Sequence, residues 1–144
     1  METIELTRIK PMEADQIVTK IIEVVCKIHG VTLEEMRLPS RQQHIKHPRH
    51  LCMYLIRKYT RYPLTYIGLY FNRHHATVIN ALIKIEDGIR FDAEIRKDFN
   101  KAKDRFENYH VIQSRLNIFE ALLNERVNDE VDRGKWLNRY VIAN

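Results

Sequence analysis

The chain has 144 residues, of which 44% are apolar and 30% charged, with four glycines and four prolines; this is the balance of a helix-rich domain with a real core, and it excludes a disordered or fibrous chain. No apolar run approaches the roughly 18 residues of a membrane span, and the opening METIELTRIK lacks the apolar stretch of a signal peptide, so a soluble cytoplasmic protein is expected. The formal charge of +5 is segregated: Met36 through Ile85 contain no Asp or Glu, while Arg37, Arg41, Lys46, Arg49, Arg57, Lys58, Arg61, Arg73 and Lys84 supply nine positive charges. Fifteen bases face nineteen acids in the remainder, which is therefore net acidic. A fifty-residue stretch of one sign is the footprint of a surface for a polyanion.

From Met12 to Ile28, Ile17, Ile21, Val24, Val25 and Ile28 recur at helical spacing, and Gly30 follows as a stop signal. Thr32 and Glu35 fit a capping box that opens a short second helix. Pro39 and the polar run Ser40 to Gln43 break that helix. Pro48 suits the first turn of a third one over about 48 to 60, with Leu51, Leu55 and Tyr59 on one stripe and Arg49, Arg57 and Lys58 toward the surface. Pro63 opens a fourth helix, Leu64 to Phe71, and Asn72, which tolerates a left-handed backbone, makes the turn out of it.

The helix after that turn begins at His74 or His75. On a wheel of about 100° per residue, Ala81, Leu82, Ile85 and Ile89 fall within about 60° of Val78, and Arg73, Ala76, Thr77, Asn80 and Lys84 lie opposite. Two helices joined by so short a turn, the second with a small, polar outer face, describe a helix-turn-helix; a plain helical hairpin has the same spacing. From Asp92, acids and bases alternate, and then Leu116, Phe119, Leu122, Leu123 and Val127 repeat at helical spacing, which predicts one or two more helices. That stripe either folds back on the domain or pairs two copies as a homodimer. Gly134 sets off a last amphipathic piece around Trp136, Leu137 and Tyr140.

Cys26 and Cys52 sit in apolar helical patterns without CxxC spacing and read as reduced core residues. His44, His47 and His50 recur every three residues and His74 adjoins His75, but no carboxylate lies in this segment and Pro48 interrupts the pattern. No metal ligand, cofactor or catalytic residue is expected, and the chain reads as a non-enzyme.

The strings HPRHLCMYLIRKYT, LTYIGLYF and RHHATVINALIKI, in this order and spacing, make the stretch from about Met12 to Phe106 resemble the C-terminal DNA-binding domain of the bacterial replication initiator DnaA. The resemblance implies an all-α, Trp-repressor-like helix-turn-helix domain over 12–108, followed by a helical C-terminal extension over 109–144. It implies sequence-specific binding of double-stranded DNA, with a role in replication initiation or transcription regulation and a nucleoid-associated location. Arg41 then matches a basic-loop arginine that enters the minor groove, and His75 and Thr77 match signature residues at the start of a recognition helix in the major groove. His74, Ala76 and Asn80 join them as base readers. Arg37, Lys46, Arg49, Lys58, Arg61, Arg73 and Lys84 would hold phosphates.

Three departures from that family alter base reading more than the fold. His74 stands where the family has Asp, Ala76 where it has Ser or Thr, and Asn72 replaces a Gly-Gly pair in a shorter turn. A histidinium at 74 would donate to guanine N7 and O6 or to a phosphate, where Asp accepts. No GxxxxGK[ST] phosphate loop occurs, and about eleven residues precede the first helix, so the expectation is a stand-alone factor without the initiator's ATPase module. The competing expectation is a protein-interaction module that mimics the initiator domain without binding DNA.

Overall fold

The structure, a computed structural model, describes residues 13–133, with side chains as far as 126. All regular structure among them is helical: α1 (Ala14–His29), α2 (Leu33–Arg37), α3 (Gln43–Tyr59), α4 (Leu64–Tyr70), α5 (His75–Phe91) and α6 (Ala93–Arg133). The all-α class expected from the sequence is the class observed. The chain divides into two compact units, one covering Met12–Asn108 and the other holding the residues from Tyr109 onward.

Local chemistry sets the helix ends. Gly30 leaves α1 in the left-handed region at φ 66°, its N–H donating to the Cys26 carbonyl at 2.8 Å. The capping box forms as the spacing predicts: the Glu35 N–H donates to Thr32 Oγ1 and the Thr32 N–H to Glu35 Oε1, both at 3.1 Å. Leu38, before Pro39, is extended and stops α2. Asp92 caps α6, its Oδ1 accepting from the N–H of Glu94 at 2.9 Å.

α3 corrects the sequence reading. It starts at Gln43, five residues before Pro48, which lies inside the helix. Ile45, 7% exposed, anchors this extra turn, and the Gln42 carbonyl accepts from Ile45 and Lys46. Pro48 then removes only the one hydrogen bond its N–H would have made to His44, a loss that burial outweighs.

α3 is the central element, packed on α1 and α5. Its Leu51, Cys52, Met53, Leu55 and Ile56 are fully buried with Val18, Ile21 and Val25 of α1, Ile67 of α4, Val78 and Ala81 of α5, and Ala102 of α6. Each large apolar side chain so buried contributes about 1.5 to 3 kcal/mol, which is how a short α4 with little intrinsic stability is held. Cys52 is buried, Cys26 is half-buried, and both are free thiols. Tyr62 and Tyr70 both donate to Asp15 Oδ1 at 2.6 Å, tying the helix-turn-helix to α1 and holding that carboxyl below its ordinary range.

Beyond Asn108, α6 runs on without the break that two helices would require. Val111, Ile112, Leu116, Phe119, Leu122 and Leu123 are 41 to 60% exposed along it. The Val127 side chain and the piece around Trp136 lie outside the described residues. No helix among the described residues is long and apolar enough to cross a membrane.

Candidate nucleic-acid interface

α4, a four-residue connection and α5 form the helix-turn-helix. Asn72 takes φ 56°, the left-handed conformation expected of it, and is the one non-glycine residue with positive φ among those described. The Arg73 N–H donates back to the Gly68 carbonyl at 2.9 Å, closing the turn. Gly68 allows this approach, because a β-carbon there would stand 2.3 Å from the Arg73 carbonyl oxygen.

α5 begins at His75, with His74 as its cap. His74 Nδ1 accepts from the Ala76 N–H at 3.2 Å, so that nitrogen carries a lone pair and the donor left on the ring is Nε2. The rings of His74 and His75 lie 4.1 Å apart. His75, Ala76, Asn80 and Lys84 are exposed and Thr77 is half-buried, while Val78, Ala81 and Ile85 are buried, so the polar strip and the core face fall where the wheel puts them. Arg41 is exposed in the loop between α2 and α3, where the Gln42 N–H donates to Ser40 Oγ at 3.2 Å.

The expected phosphate ligands separate into two groups. Arg49 is 4% exposed, and its Nε and Nη2 each donate at 2.9 Å, to the carbonyls of Met36 and Ser40. Arg73, half-buried, donates from Nη2 to the Leu38 carbonyl at 2.6 Å and from Nη1 to those of Phe71, Asn72 and Arg37. The burial of Arg49 corrects the expectation that it lies toward the surface, and the two guanidiniums hold the Arg41 loop and the turn together. Placing carbonyls around a buried cation supplies the hydrogen bonds that its desolvation demands. Arg37 is exposed but also donates from Nε to the Tyr70 carbonyl at 2.7 Å. Nothing in the sequence marks these partners, since loop carbonyls carry no residue signature.

Lys58, Arg61 and Lys84 are exposed and Lys46 is half-buried. Lys46 and Lys84 line one cleft, and Lys84, then partial burial, then Arg41 and Arg49 hold the Lys46 ammonium below its ordinary pKa. Neither lysine is in an ion pair with a carboxylate among the described residues. Cations gathered from α3, α5 and the loop and left facing one another raise the local potential toward an anion.

One cluster was missed in the sequence. Because Pro48 does not interrupt α3, His47 projects from a continuous helix, and it meets His29 of α1 and Asp98 of α6. The carboxylate absent from the basic segment arrives from outside it.

The short turn between α4 and α5 and the exposed polar strip of α5 define a helix-turn-helix protein. Residues 18–85 match the family described as "Bacterial dnaA protein helix-turn-helix". The resemblance of this region to the DnaA C-terminal domain is thereby established. Among curated relatives, the chromosomal replication initiator protein DnaA of Desulfatibacillum aliphaticivorans is 44% identical over 77 residues, 54% of this chain and 17% of that protein. The protein of the same name from Caldanaerobacter subterraneus is 37% identical over 95 residues, 65% of this chain and 21% of its own length. That of Gloeobacter violaceus is 40% identical over 88 residues, 60% of this chain and 20% of its length. The chain thus spans about a fifth of the length of these relatives.

Proposed function

We propose that the unit Met12–Asn108 binds double-stranded DNA in a sequence-specific way, with the N-terminal turn of α5 in the major groove and Arg41 in the adjacent minor groove. The observation that carries this reading is the helix-turn-helix itself, in which α5 opens on the exposed His74, His75 and Ala76 after a short turn, with Lys46 and Lys84 lining a cleft farther along the same helix. A helix N-terminus with free N–H groups favours phosphate, and small or polar side chains let it approach base edges. His74, His75, Ala76, Thr77, Asn80 and Arg41 read bases; Lys46, Lys58, Arg61, Lys84 and Arg37 hold phosphates and fix register without reading sequence. The relatives' name, chromosomal replication initiator, supports a regulator of replication or transcription as the setting. The exposed apolar row from Val111 to Leu123 supports a second role for the extension, pairing with another helix such as that of a second copy.

Measuring duplex affinity against salt tests the reading. Four to six neutralised phosphates give a log–log slope of about −4 to −5, since each contact contributes about −0.9 on B-DNA. A slope near zero would leave a protein-interaction module as the better account.

A further inference from the structure

We propose that His29, His47 and Asp98 form a binding site for a divalent transition-metal ion of the zinc class. One ligand atom from each residue lies within 4.8 Å of the other two. His47 Nε2 and Asp98 Oδ2 are already 3.1 Å apart, and the His29 and His47 rings meet edge to face with centroids 5.5 Å apart. Ligand atoms bound tetrahedrally at about 2.0 to 2.1 Å from zinc are separated by about 3.3 Å, so small side-chain rotations close the set around an ion.

The second observation is an unsatisfied group. His29 Nε2 is buried and has no hydrogen-bond partner. A buried polar atom left in that state costs about 1 to 3 kcal/mol unless something meets it, and a Lewis acid between the three side chains is such a partner. The ligand chemistry is selective: two imidazoles and one carboxylate suit zinc and its first-row neighbours rather than calcium or magnesium, which take mostly oxygen. Three protein ligands leave a fourth position for water or a further group. The Asp98 carboxylate offsets the ion's charge, and Lys101, whose charge also reaches His29, opposes it.

The three residues come from α1, α3 and the first turns of α6, all within the Met12–Asn108 unit. On the reading of Lys46 as a phosphate ligand, an ion there fastens the helix that carries it to α1 and α6. Its role is therefore to brace the DNA-binding face rather than to perform catalysis.

The test uses the tag-free full chain, stripped with a chelator and titrated with Zn2+ and, separately, Co2+. One equivalent of Zn2+ should bind at micromolar concentration or below, on the order expected for a partly preformed three-ligand site, and Co2+ should give the visible bands of a four-coordinate ion. His29→Ala and Asp98→Asn should each weaken binding by about a hundredfold, whereas His44→Ala should leave it unchanged. Circular dichroism of each variant establishes that it is folded. Imidazole nitrogen resonances of the unmutated chain supply an independent reading, because ligation shifts one nitrogen of His29 and one of His47. Absence of a stoichiometric site, affinity unmoved by His29→Ala and Asp98→Asn, or unshifted His29 and His47 resonances would each overturn the proposal.

Discussion

The carbonyl oxygen of Arg73 stands 2.3 Å from the point where a β-carbon on Gly68 would sit, and the Arg73 N–H donates to the Gly68 carbonyl at 2.9 Å. The two residues hold the turn from both sides. Gly68→Ala has to push backbone rather than a pliable side-chain end, so it should destabilise the domain by about 1 to 3 kcal/mol. It should also displace the start of α5 and weaken DNA binding. A urea midpoint equal to that of the unmutated chain would show that the turn yields freely.

Arg49 offers a sharper separation of roles. Replacing it by Met keeps much of the buried volume but strips the donors from the Met36 and Ser40 carbonyls. The expected loss of stability is about 2 to 3 kcal/mol, from two charge-assisted bonds in a nearly dry site. The salt slope of DNA binding should not change, because no phosphate contact is removed. Lys58→Ala should do the reverse, leaving the unfolding midpoint alone and flattening the slope by about one unit. If Arg49→Met also flattens the slope, the guanidinium leaves its carbonyls in the complex.

These contrasts mark how far the sequence could be read. Helix spacing, the Thr32 and Glu35 box, the Gly30 stop and the left-handed Asn72 are local facts, each written in a few neighbouring residues, and the structure carries them all. The burial of Arg49 was not legible, since an arginine's exposure depends on which distant carbonyls surround it. The start of α3 was missed because a proline signals a helix's first turn only when no apolar residue upstream is anchored, and Ile45 is. The meeting of His29, His47 and Asp98 joins residues up to 69 positions apart on three helices, and no period in the sequence encodes it.

Lys46 and Lys84 should respond with opposite signs in two assays. In the free protein the two lysines line one cleft, and neither is in a carboxylate ion pair among the described residues. Lys84→Gln therefore relieves like-charge repulsion and should leave the melting temperature unchanged or slightly raised. In the proposed complex it removes a phosphate ligand, so affinity should fall about tenfold at low salt, with the difference shrinking as salt rises. Loss of stability together with unchanged affinity would mean that the pair serves the fold and not the ligand.

His50 governs acid sensitivity. Burial first, and then Lys84, Lys46, Arg49 and His47, pull its imidazole from 6.5 down to about 4. Between those values the unfolded chain takes up a proton that the folded His50 refuses. The stability tied to the neutral ring is thus fully present above pH 6.5 and is lost as pH falls toward 4, at no more than about 1.4 kcal/mol per pH unit. Burial also holds His29 below its ordinary value, which acts in the same direction. Urea unfolding from pH 7 to 4.5 should show the decline, and His50→Gln should make it shallower. An unchanged slope in that variant would assign acid sensitivity to other groups.

His74 caps α5 with one ring nitrogen and leaves the other for the proposed reading of a base. Nδ1 is committed to the Ala76 N–H at 3.2 Å, which leaves Nε2–H as the ring's outward donor. Such a donor fits guanine N7 or O6, or a phosphate, whereas an aspartate in the same place only accepts and fits cytosine N4. Aspartate is also a good helix cap, so His74→Asp should fold at least as well as the natural chain. What should move is base preference: site selection from random duplexes should show one base pair changed, with about 1 to 3 kcal/mol of discrimination exchanged between the two proteins on each other's sites. His74→Ala should lose both functions, costing about 1 kcal/mol of stability and relaxing preference at that position. Identical selected sites for the natural chain and His74→Asp would show that the ring caps α5 and reads nothing, leaving recognition to His75, Thr77, Asn80 and Arg41.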